Sequence, residues 1–507
     1  MNDAPVPNIY NTEDISGGTF DTPKKEVPQY SRREILLSAA VAVLSFLFVK
    51  YIIFNITGFF TTGVFIALIT AATVYLRKKG FKFSRLNIAI AVILYIFSFV
   101  FSITANSFIK GLNTVFLCAA SAYYIYSVAA EKRDIERFLP FAMIKAVFAY
   151  PFSKFGAQSA IAADSLKKSK VSGIILPVFI GLLLTVPLTA VVGALLMSAD
   201  DGLARMLSGL TNRIFSYKLS LIAAELMLTI PCSLYIFGMI YANSFRKDIS
   251  VLDDEQCANK LDSARVISNL IVYTAVTPIC ILYVMFFISQ ASYFLSAFAN
   301  SLPEGYSYAD YARQGFFELF AVSLINLMVI TVMSLHSKKS GRNKSAALKF
   351  YNVMLSIFTL ILIATAISKM VMYISVYGLT QLRFYTTWFM LLLAVIFVMI
   401  IVKQFRYDFR FARHISIAFT IMFGFLCFSR PDSIIAAYNI EMYNAGYLNE
   451  LDTSAIMELS DDAVLTAFNK GAVSDKDAEK RFERRLKSDT FNRYNISTMM
   501  LENLTEE

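Results

Sequence analysis

The sequence predicts an all-α fold, a polytopic transmembrane helix bundle of about 11 spans. Composition is the first observation behind this class. Hydrophobic residues make up 57% of the chain and charged residues only 17%, and a soluble fold could not cover so much apolar surface. The second observation is a pattern in which long apolar stretches alternate with connectors that are basic in every second case. Together they predict a multi-pass membrane protein.

The predicted spans are nearly continuous in apolar character, as lipid-facing helices are, rather than alternating like the strands of a membrane β-barrel. They cover residues 35–54, 59–76, 86–104, 111–130, 173–197, 219–240, 266–289, 315–335, 348–376, 384–402 and 411–429. Prolines lie in the middle spans, at Pro177, Pro187, Pro231 and Pro278. Each removes a backbone donor and favours a kink. Kinked helices are found at transporter sites, but proline in membrane helices more often only shapes packing.

Lys and Arg gather in every second connector. They include Arg32 and Arg33 before the first span, Arg77, Lys78 and Lys79 after the second, and Lys403, Arg406 and Arg410 after the tenth. The intervening connectors hold far fewer, with none in 55–58. The positive-inside rule therefore predicts a cytoplasmic N-terminus and an extracytoplasmic C-terminus in a plasma membrane. Because the basic residues are spread over short connectors, the expected partner is the lipid bilayer and not nucleic acid.

Three regions follow from this pattern. Residues 1–34 are predicted to be a disordered cytoplasmic segment, 35–429 the transmembrane domain, and 430–507 a small helical extracytoplasmic tail. The tail is too short to bury a large core alone, so it is expected to pack on the outer ends of the spans or on a partner. Segment 135–160 mixes phenylalanines with basic residues. It is interpreted as an interfacial helix on the cytoplasmic leaflet, with a re-entrant hairpin as the alternative.

Three charged residues fall inside predicted spans, namely Glu225, Glu318 and Lys369. A charge at the centre of a bilayer costs about 2.5–3.5 kcal/mol on insertion scales, so such residues face the bundle interior or find a partner. All three lie in the predicted outer half, and Lys369 is hypothesised to pair with Glu318 or Glu225. The alternatives are a buried pair that only fixes helix packing, or side chains that extend to the interface.

The outer connectors carry the candidate binding residues. These are Asp200, Asp201, Arg205, Glu304, Tyr308, Asp310, Arg313, Arg383, Arg430 and Asp432. Carboxylates and guanidiniums gathered at one membrane surface are suited to binding a polar ligand, an ion or a partner loop. They are equally suited to a network of salt bridges that closes the outer face, and both interpretations stay open.

Catalytic and cofactor motifs are not recognised in the sequence. The only histidines, His336 and His414, lie far apart in predicted cytoplasmic connectors, and HExxH, P-loop and Rossmann patterns do not occur. The five cysteines form no CxxC pair or Cys/His cluster, so neither a metal site nor any cofactor is expected. A carboxylate-based enzyme acting on a lipid-linked substrate remains an alternative, with Asp200, Asp201, Glu304 and Asp310 as its candidate acids.

The outer connectors also carry a family resemblance. The stretches 302–319, 377–385 and 429–440, and the pair Asp200-Asp201 after an apolar span, are as a set similar to a family of multi-pass bacterial membrane proteins. This family is known as a domain of unknown function, the forty-one fifty-three and forty-one seventy-three group. The resemblance covers about residues 80–470. It implies an envelope membrane protein and supplies no catalytic residues.

Two functional hypotheses follow. The first is a non-catalytic envelope sensor or scaffold that engages a protein partner through the outer connectors and the acidic tail. The second is a secondary transporter or channel-like protein that uses Glu225, Glu318 and Lys369. The absence of a recognised energy-coupling or catalytic motif favours the first.

Overall fold

The computed structural model describes residues 30–55, 58–135, 137–167, 217–245, 269–289, 316–336, 346–406, 408–474 and 494–506, with a few single positions between them, Arg481 among these. These residues form helices joined by short connectors, and no β-strand occurs among them. The all-α prediction is therefore confirmed for the described part of the chain.

The first group of helices lies in the N-terminal half. It comprises α1 (Arg32–Phe48, continued by a π-turn at Val49–Ile53), α2 (Phe59–Lys78), α3 (Arg85–Ser98), α4 (Val100–Ile103), α5 (Ser107–Ala129), α6 (Leu139–Ile144), α7 (Tyr150–Ser153), α8 (Ala157–Lys167) and α9 (Tyr217–Ser244). Polar residues start several of these helices. The Ser84 and Asn106 side chains accept from the backbone N–H groups of Asn87 and Ile109, as N-cap residues do.

The remaining helices form a second group and a terminal cap. The second group comprises α10 (Asn269–Ser289), α11 (Phe316–His336), α12 (Ala346–Tyr377) and α13 (Gln381–Phe405), and α14 (Phe411–Phe428) follows it. The cap, residues 431–474 and 494–506, contains α15 (Pro431–Asn444), α16 (Thr453–Glu458), α17 (Asp461–Asn469) and α18 (Ile496–Glu506). The Trp388 indole on α13 donates to the Met422 carbonyl on α14 at 3.0 Å.

Each group of helices has its own apolar core. The first core includes Val41, Leu94, Phe101 and Phe237 and extends to Phe423 on α14. The second is built from α10 to α13, with Leu355, Met390 and Phe397 fully buried. Helix α14 therefore packs against the first group although it follows the second in sequence.

Nine helices of the described residues are long and apolar enough to cross a membrane. They correspond to the predicted spans at 35–54, 59–76, 86–104, 111–130, 219–240, 315–335, 348–376, 384–402 and 411–429. The predicted span at 266–289 corresponds to α10, of which the stretch Tyr273–Ser289 is shorter than the nine candidate spans. The predicted span at 173–197 lies outside the residues described, apart from single positions.

Two predicted kinks can be compared with the structure. Helix α9 runs through Pro231 and α10 runs through Pro278, each as one continuous helix. These prolines therefore do not divide their helices into the separate halves found in many transporters. Pro177 and Pro187 lie outside the described residues.

Segment 135–160 forms consecutive short helices rather than one helix. Helices α6 and α7 are continuous through a π-turn, and a turn at 154–156 separates them from α8. The segment lies against α9, where the Tyr235 hydroxyl donates to the Val147 carbonyl at 2.7 Å. The Gln158 amide donates to the Ser38 carbonyl and accepts from the Ser233 hydroxyl. Phe148 and Phe152 are exposed, and the position of the segment relative to the membrane stays a prediction.

The connectors meet at two ends of the bundle. At one end, which we call the basic end, Glu34 pairs with Lys79 at 2.7 Å and Asp134 pairs with Arg410. At the other end, the capped end, the connectors near residues 58, 104 and 379 all contact the cap. Connectors that the charge pattern assigned to the same side thus lie together.

Candidate functional site

Asp462 joins the cap to the ends of the helices. One carboxylate oxygen accepts from the Thr104 hydroxyl at 2.6 Å and from the Ala105 backbone N–H at 2.9 Å. The other accepts from Nη2 of Arg430 at 3.1 Å and from the Ser497 hydroxyl. Asp462 is fully buried, and charge-assisted bonds of this kind are about twice as strong as neutral ones. This single carboxylate therefore binds three distant chain segments together.

Arg430 reaches Asp462 because the backbone turns sharply between α14 and α15. Its φ of 53° lies in the left-handed region, which costs a non-glycine residue about 1–2 kcal/mol. Pro431 then begins α15. A backbone N–H at this first position has no acceptor within the helix, so the lack of one in proline costs no hydrogen bond. The turn brings the guanidinium beside the cap rather than leaving it in solvent.

Asp461, the neighbouring acid, is also fully buried. It accepts from the Thr498 hydroxyl at 2.8 Å and from Nε of Arg481 at 3.3 Å. Arg481 in turn donates to the carbonyls of Met457 and Leu459. This arrangement fastens α18 and the Arg481 segment onto α17.

Asp432 makes a third buried contact. Its carboxylate accepts from the Gln381 amide on α13 at 2.7 Å and from the Ser460 backbone N–H at 3.2 Å. Asp432 lies in the first turn of α15, where the helix dipole also favours a negative charge. The start of α13 is thereby tied to the start of α17 through one side chain.

The turn between α12 and α13 is clamped from both sides. The Asn439 amide accepts from the Leu379 backbone N–H at 2.7 Å and donates to the Leu379 carbonyl at 2.9 Å. Arg383 donates to the carbonyls of Tyr377 and Gly378 and lies 4.1 Å from the centre of the Tyr373 ring. Gly378 has a φ of +74°, which glycine adopts without steric cost.

The far side of the cap contains an open cavity of about 380 Å³. It lies where α15 and α17 both end, and Tyr443, Asn444, Glu450 and Lys470 are among its lining residues. Lys470 pairs with Glu441 at 2.7 Å. The cap thus has a buried face that binds the helix ends and a polar face that remains accessible.

A family model described as Domain of unknown function (DUF4153) matches residues 88–467. The chain belongs to the DUF4153 family. No curated protein and no solved structure matches the chain. The match agrees with the resemblance seen in the sequence, while kinship with the forty-one seventy-three group and a bacterial origin are not shown by it. The DUF4153 region contains Arg430, Asp432, Asp461 and Asp462 and ends inside α17.

Three of the candidate site residues lie at the capped end of the DUF4153 chain. Arg430 and Asp432 hold the cap, and Arg383 stabilises the adjoining turn. The other seven lie outside the described residues: Asp200, Asp201, Arg205, Glu304, Tyr308, Asp310 and Arg313. All four candidate acids of the alternative enzyme hypothesis are among those seven.

The three charges of this DUF4153 chain that were predicted inside spans fall in two helix groups. Glu318, in the first turn of α11, and Lys369, on α12, lie on packed helices of the second group. Glu225 is buried on α9, which packs in the first group. Of the two glutamates hypothesised as partners of Lys369, only Glu318 therefore shares its helix group.

The sequence did not point to the residues that matter most here. Asp461, Asp462, Gln381 and Asn439 were not among the candidates, and Arg481 lies beyond the DUF4153 match. A signal existed, because Asp461 and Asp462 follow Ser460 at the start of an apolar stretch. That pattern has an ordinary explanation as acidic residues in a first helical turn. Among the described residues, no group of three or more His, Cys, Asp or Glu side chains is placed to hold a metal ion.

Proposed function

We propose that this DUF4153 protein is a non-catalytic membrane scaffold or sensor that presents its cap to a protein partner on the extracytoplasmic side of a plasma membrane. The docking of the cap onto the helix ends by buried Asp462 is the observation that carries the proposal. A cap held this way is a fixed platform. Fixed surfaces lose less conformational entropy on binding than mobile ones.

The same contacts provide a route from the cap to the membrane. Asp462 contacts Thr104, which precedes α5, and Asp432 contacts Gln381 at the start of α13. A partner that shifts the cap would therefore act directly on the ends of two spans. The carboxylates of Asp432, Asp461 and Asp462 already accept hydrogen bonds within the protein. This supports a role in holding the cap rather than a catalytic role.

The proposed orientation rests on the positive-inside rule. Arg77, Lys78 and Arg410 lie at the basic end, opposite the cap. In a parent chain whose five cysteines are replaced, Ser454→Cys in the cap should react with a membrane-impermeant reagent in intact cells. Lys132→Cys at the basic end should react only after permeabilisation. The reverse pattern would overturn the orientation.

Partner engagement is tested by photo-crosslinking in native membranes. A crosslinking amino acid at Tyr447, a cap residue that is 72% exposed, should yield one reproducible protein adduct. The same amino acid at Phe405, 75% exposed at the end of α13, serves as the matched control and should not yield that adduct. Asp462→Asn, which weakens docking of the cap, should reduce the yield of the adduct at Tyr447. If Tyr447 and Tyr443 both yield no protein adduct, the scaffold proposal fails.

A further inference from the structure

Buried polar side chains join three helices in the second group. The Tyr283 hydroxyl on α10 donates to the Asn326 amide oxygen on α11 at 2.6 Å. The Asn326 amide nitrogen donates to the Thr359 hydroxyl on α12 at 2.8 Å. Asn326 and Thr359 are completely or almost completely buried. Three neighbouring helices thus share one hydrogen-bond chain in their common interior.

Asn352 lies two turns further along the same face of α12, because seven residues complete almost two turns. It is fully buried, and neither its amide nitrogen nor its amide oxygen has a hydrogen-bond partner within the protein. An unsatisfied polar group inside a bilayer is strongly unfavourable. An amide with both donor and acceptor capacity unused is instead typical of a site that holds ordered water.

Further polar groups extend this row along the interface between α11 and α12. Ser356 lies between Asn352 and Thr359, and Ser323 lies one turn from Asn326 towards the capped end; both are fully buried. Glu318, which is exposed, and Lys369, which is partly buried, follow in the same direction. From Asn352 to Lys369 the helix rises about 26 Å, and the hydrocarbon core of a bilayer is about 30 Å thick.

The spacing of the row suits bridging by water. Asn352, Ser356 and Thr359 are separated by three or four residues, which is roughly 5–6 Å of helical rise. One water molecule bridges polar atoms at such a separation. The hydroxyls of Ser356 and Thr359 each donate to their own helix backbone. The Thr359 oxygen also accepts from Asn326, so it keeps one lone pair that can accept, and Ser356 keeps its lone pairs.

We infer that the interface of α10, α11 and α12 is a hydrated path that conducts protons across the membrane. A proton enters at one end, each water or hydroxyl accepts one proton and releases another, and a proton leaves at the far end. Conduction along this path does not depend on the cap or on its partner.

The test uses the purified full chain in liposomes that contain a pH-sensitive dye. With potassium and valinomycin setting the voltage, the protein should dissipate a pH gradient at least tenfold faster than empty vesicles. Asn352→Leu and Thr359→Val should each reduce this rate to near that of empty vesicles. Asn352→Ser, which keeps a group able to hold water, should restore part of it.

Thr331→Val is the matched control. Thr331 is an exposed residue of α11 whose hydroxyl bonds only its own helix, so its loss should leave the rate unchanged. Thr359→Val nearly preserves side-chain shape, and it decides the question if Asn352→Leu fails to fold. Wild-type flux no faster than that of empty vesicles overturns the inference. Wild-type flux in Thr359→Val overturns it as well.

Discussion

The buried acid Asp462 shows why one residue can determine whether a domain docks. A carboxylate removed from water is stable only if its oxygens are fully bonded, and breaking such a group's pairing costs about 3–5 kcal/mol. Both oxygens of Asp462 are bonded, and their partners lie on three other chain segments. The cap therefore depends on this residue far more than on its exposed charges.

We expect Asp462→Asn to lower the free energy that holds the cap by about 3 kcal/mol, because the charge that Arg430 faces is lost. Limited proteolysis within residues 431–506 of the purified protein measures this. Asp477→Asn, at an exposed residue bonded to Ser474, should change the rate of proteolysis little. Surface substitutions alter stability by no more than about 0.5 kcal/mol. Equal proteolysis of the two variants would contradict the role assigned to Asp462.

Gly378 gives a second prediction at the residue scale. A Cβ there would lie 2.7 Å from Oδ1 of Asn439, whose amide is held by two bonds to Leu379. Gly446 has a similar φ of +77° but open space around it. Gly378→Ala should therefore destabilise the protein by about 1–2 kcal/mol more than Gly446→Ala, which pays only the conformational strain. Thermal unfolding in detergent measures the difference, and equal losses would show that Asn439 moves freely.

At the scale of elements, the start of α2 meets the residues just before α18 through a backbone contact. The Tyr494 carbonyl accepts from the Phe59 N–H at 3.1 Å, and a Cβ on Gly58 would lie only 1.6 Å from that carbonyl oxygen. No side chain fits between these segments. The contact therefore requires glycine at position 58.

Gly58→Ala should displace residues 494–506 and increase their hydrogen exchange by at least tenfold, because no small shift relieves a backbone overlap of this size. Gly63→Ala is the control. Gly63 lies inside α2 with nothing within 4 Å of its added Cβ, so exchange at α18 should stay unchanged. Unaltered exchange in Gly58→Ala would mean that α18 docks without this contact.

The helices were easier to predict than their contacts. Of the eleven predicted spans, nine correspond to helices long and apolar enough to cross a membrane, because bilayer thickness fixes helix length. Segment 135–160 was left open between an interfacial helix and a re-entrant hairpin, because phenylalanines beside lysines fit both. Asp462 was missed because Thr104 is 358 residues away in sequence, and hydropathy carries no information about such pairings. Arg430 and Asp432 were candidate binding residues because charges in short connectors stand out, and the structure places both in contacts that hold the cap.

At the scale of the whole molecule, two kinds of ionic contact hold the bundle. Asp134 at the basic end pairs with Arg410 and Arg413, and all three side chains are substantially exposed. Exposed ion pairs contribute about 0–1 kcal/mol and are screened by salt. Asp462 at the capped end is fully buried, as Glu34 is nearly so at the basic end, and salt screens such contacts much less.

Asp134→Asn should therefore lower the free energy of unfolding by less than about 1 kcal/mol, and high salt should reduce even this effect. Asp462→Asn should remain strongly destabilising at both low and high salt. Thermal unfolding of the two variants at two ionic strengths distinguishes the exposed pairs of Asp134 from the buried contacts of Asp462. A large, salt-insensitive loss in Asp134→Asn would contradict the contrast.

The contact between Phe59 and Tyr494 also orders events during synthesis. These residues are separated by 435 positions, and ribosomes add about 5–20 residues per second. The connector before α2 therefore waits about 20–90 s for the segment that covers it. Until then the Phe59 N–H and the Thr104 hydroxyl lack their native acceptors. Synthesis of Asp462 and Tyr494 supplies these acceptors, so the cap docks only after the helices that it covers have been made.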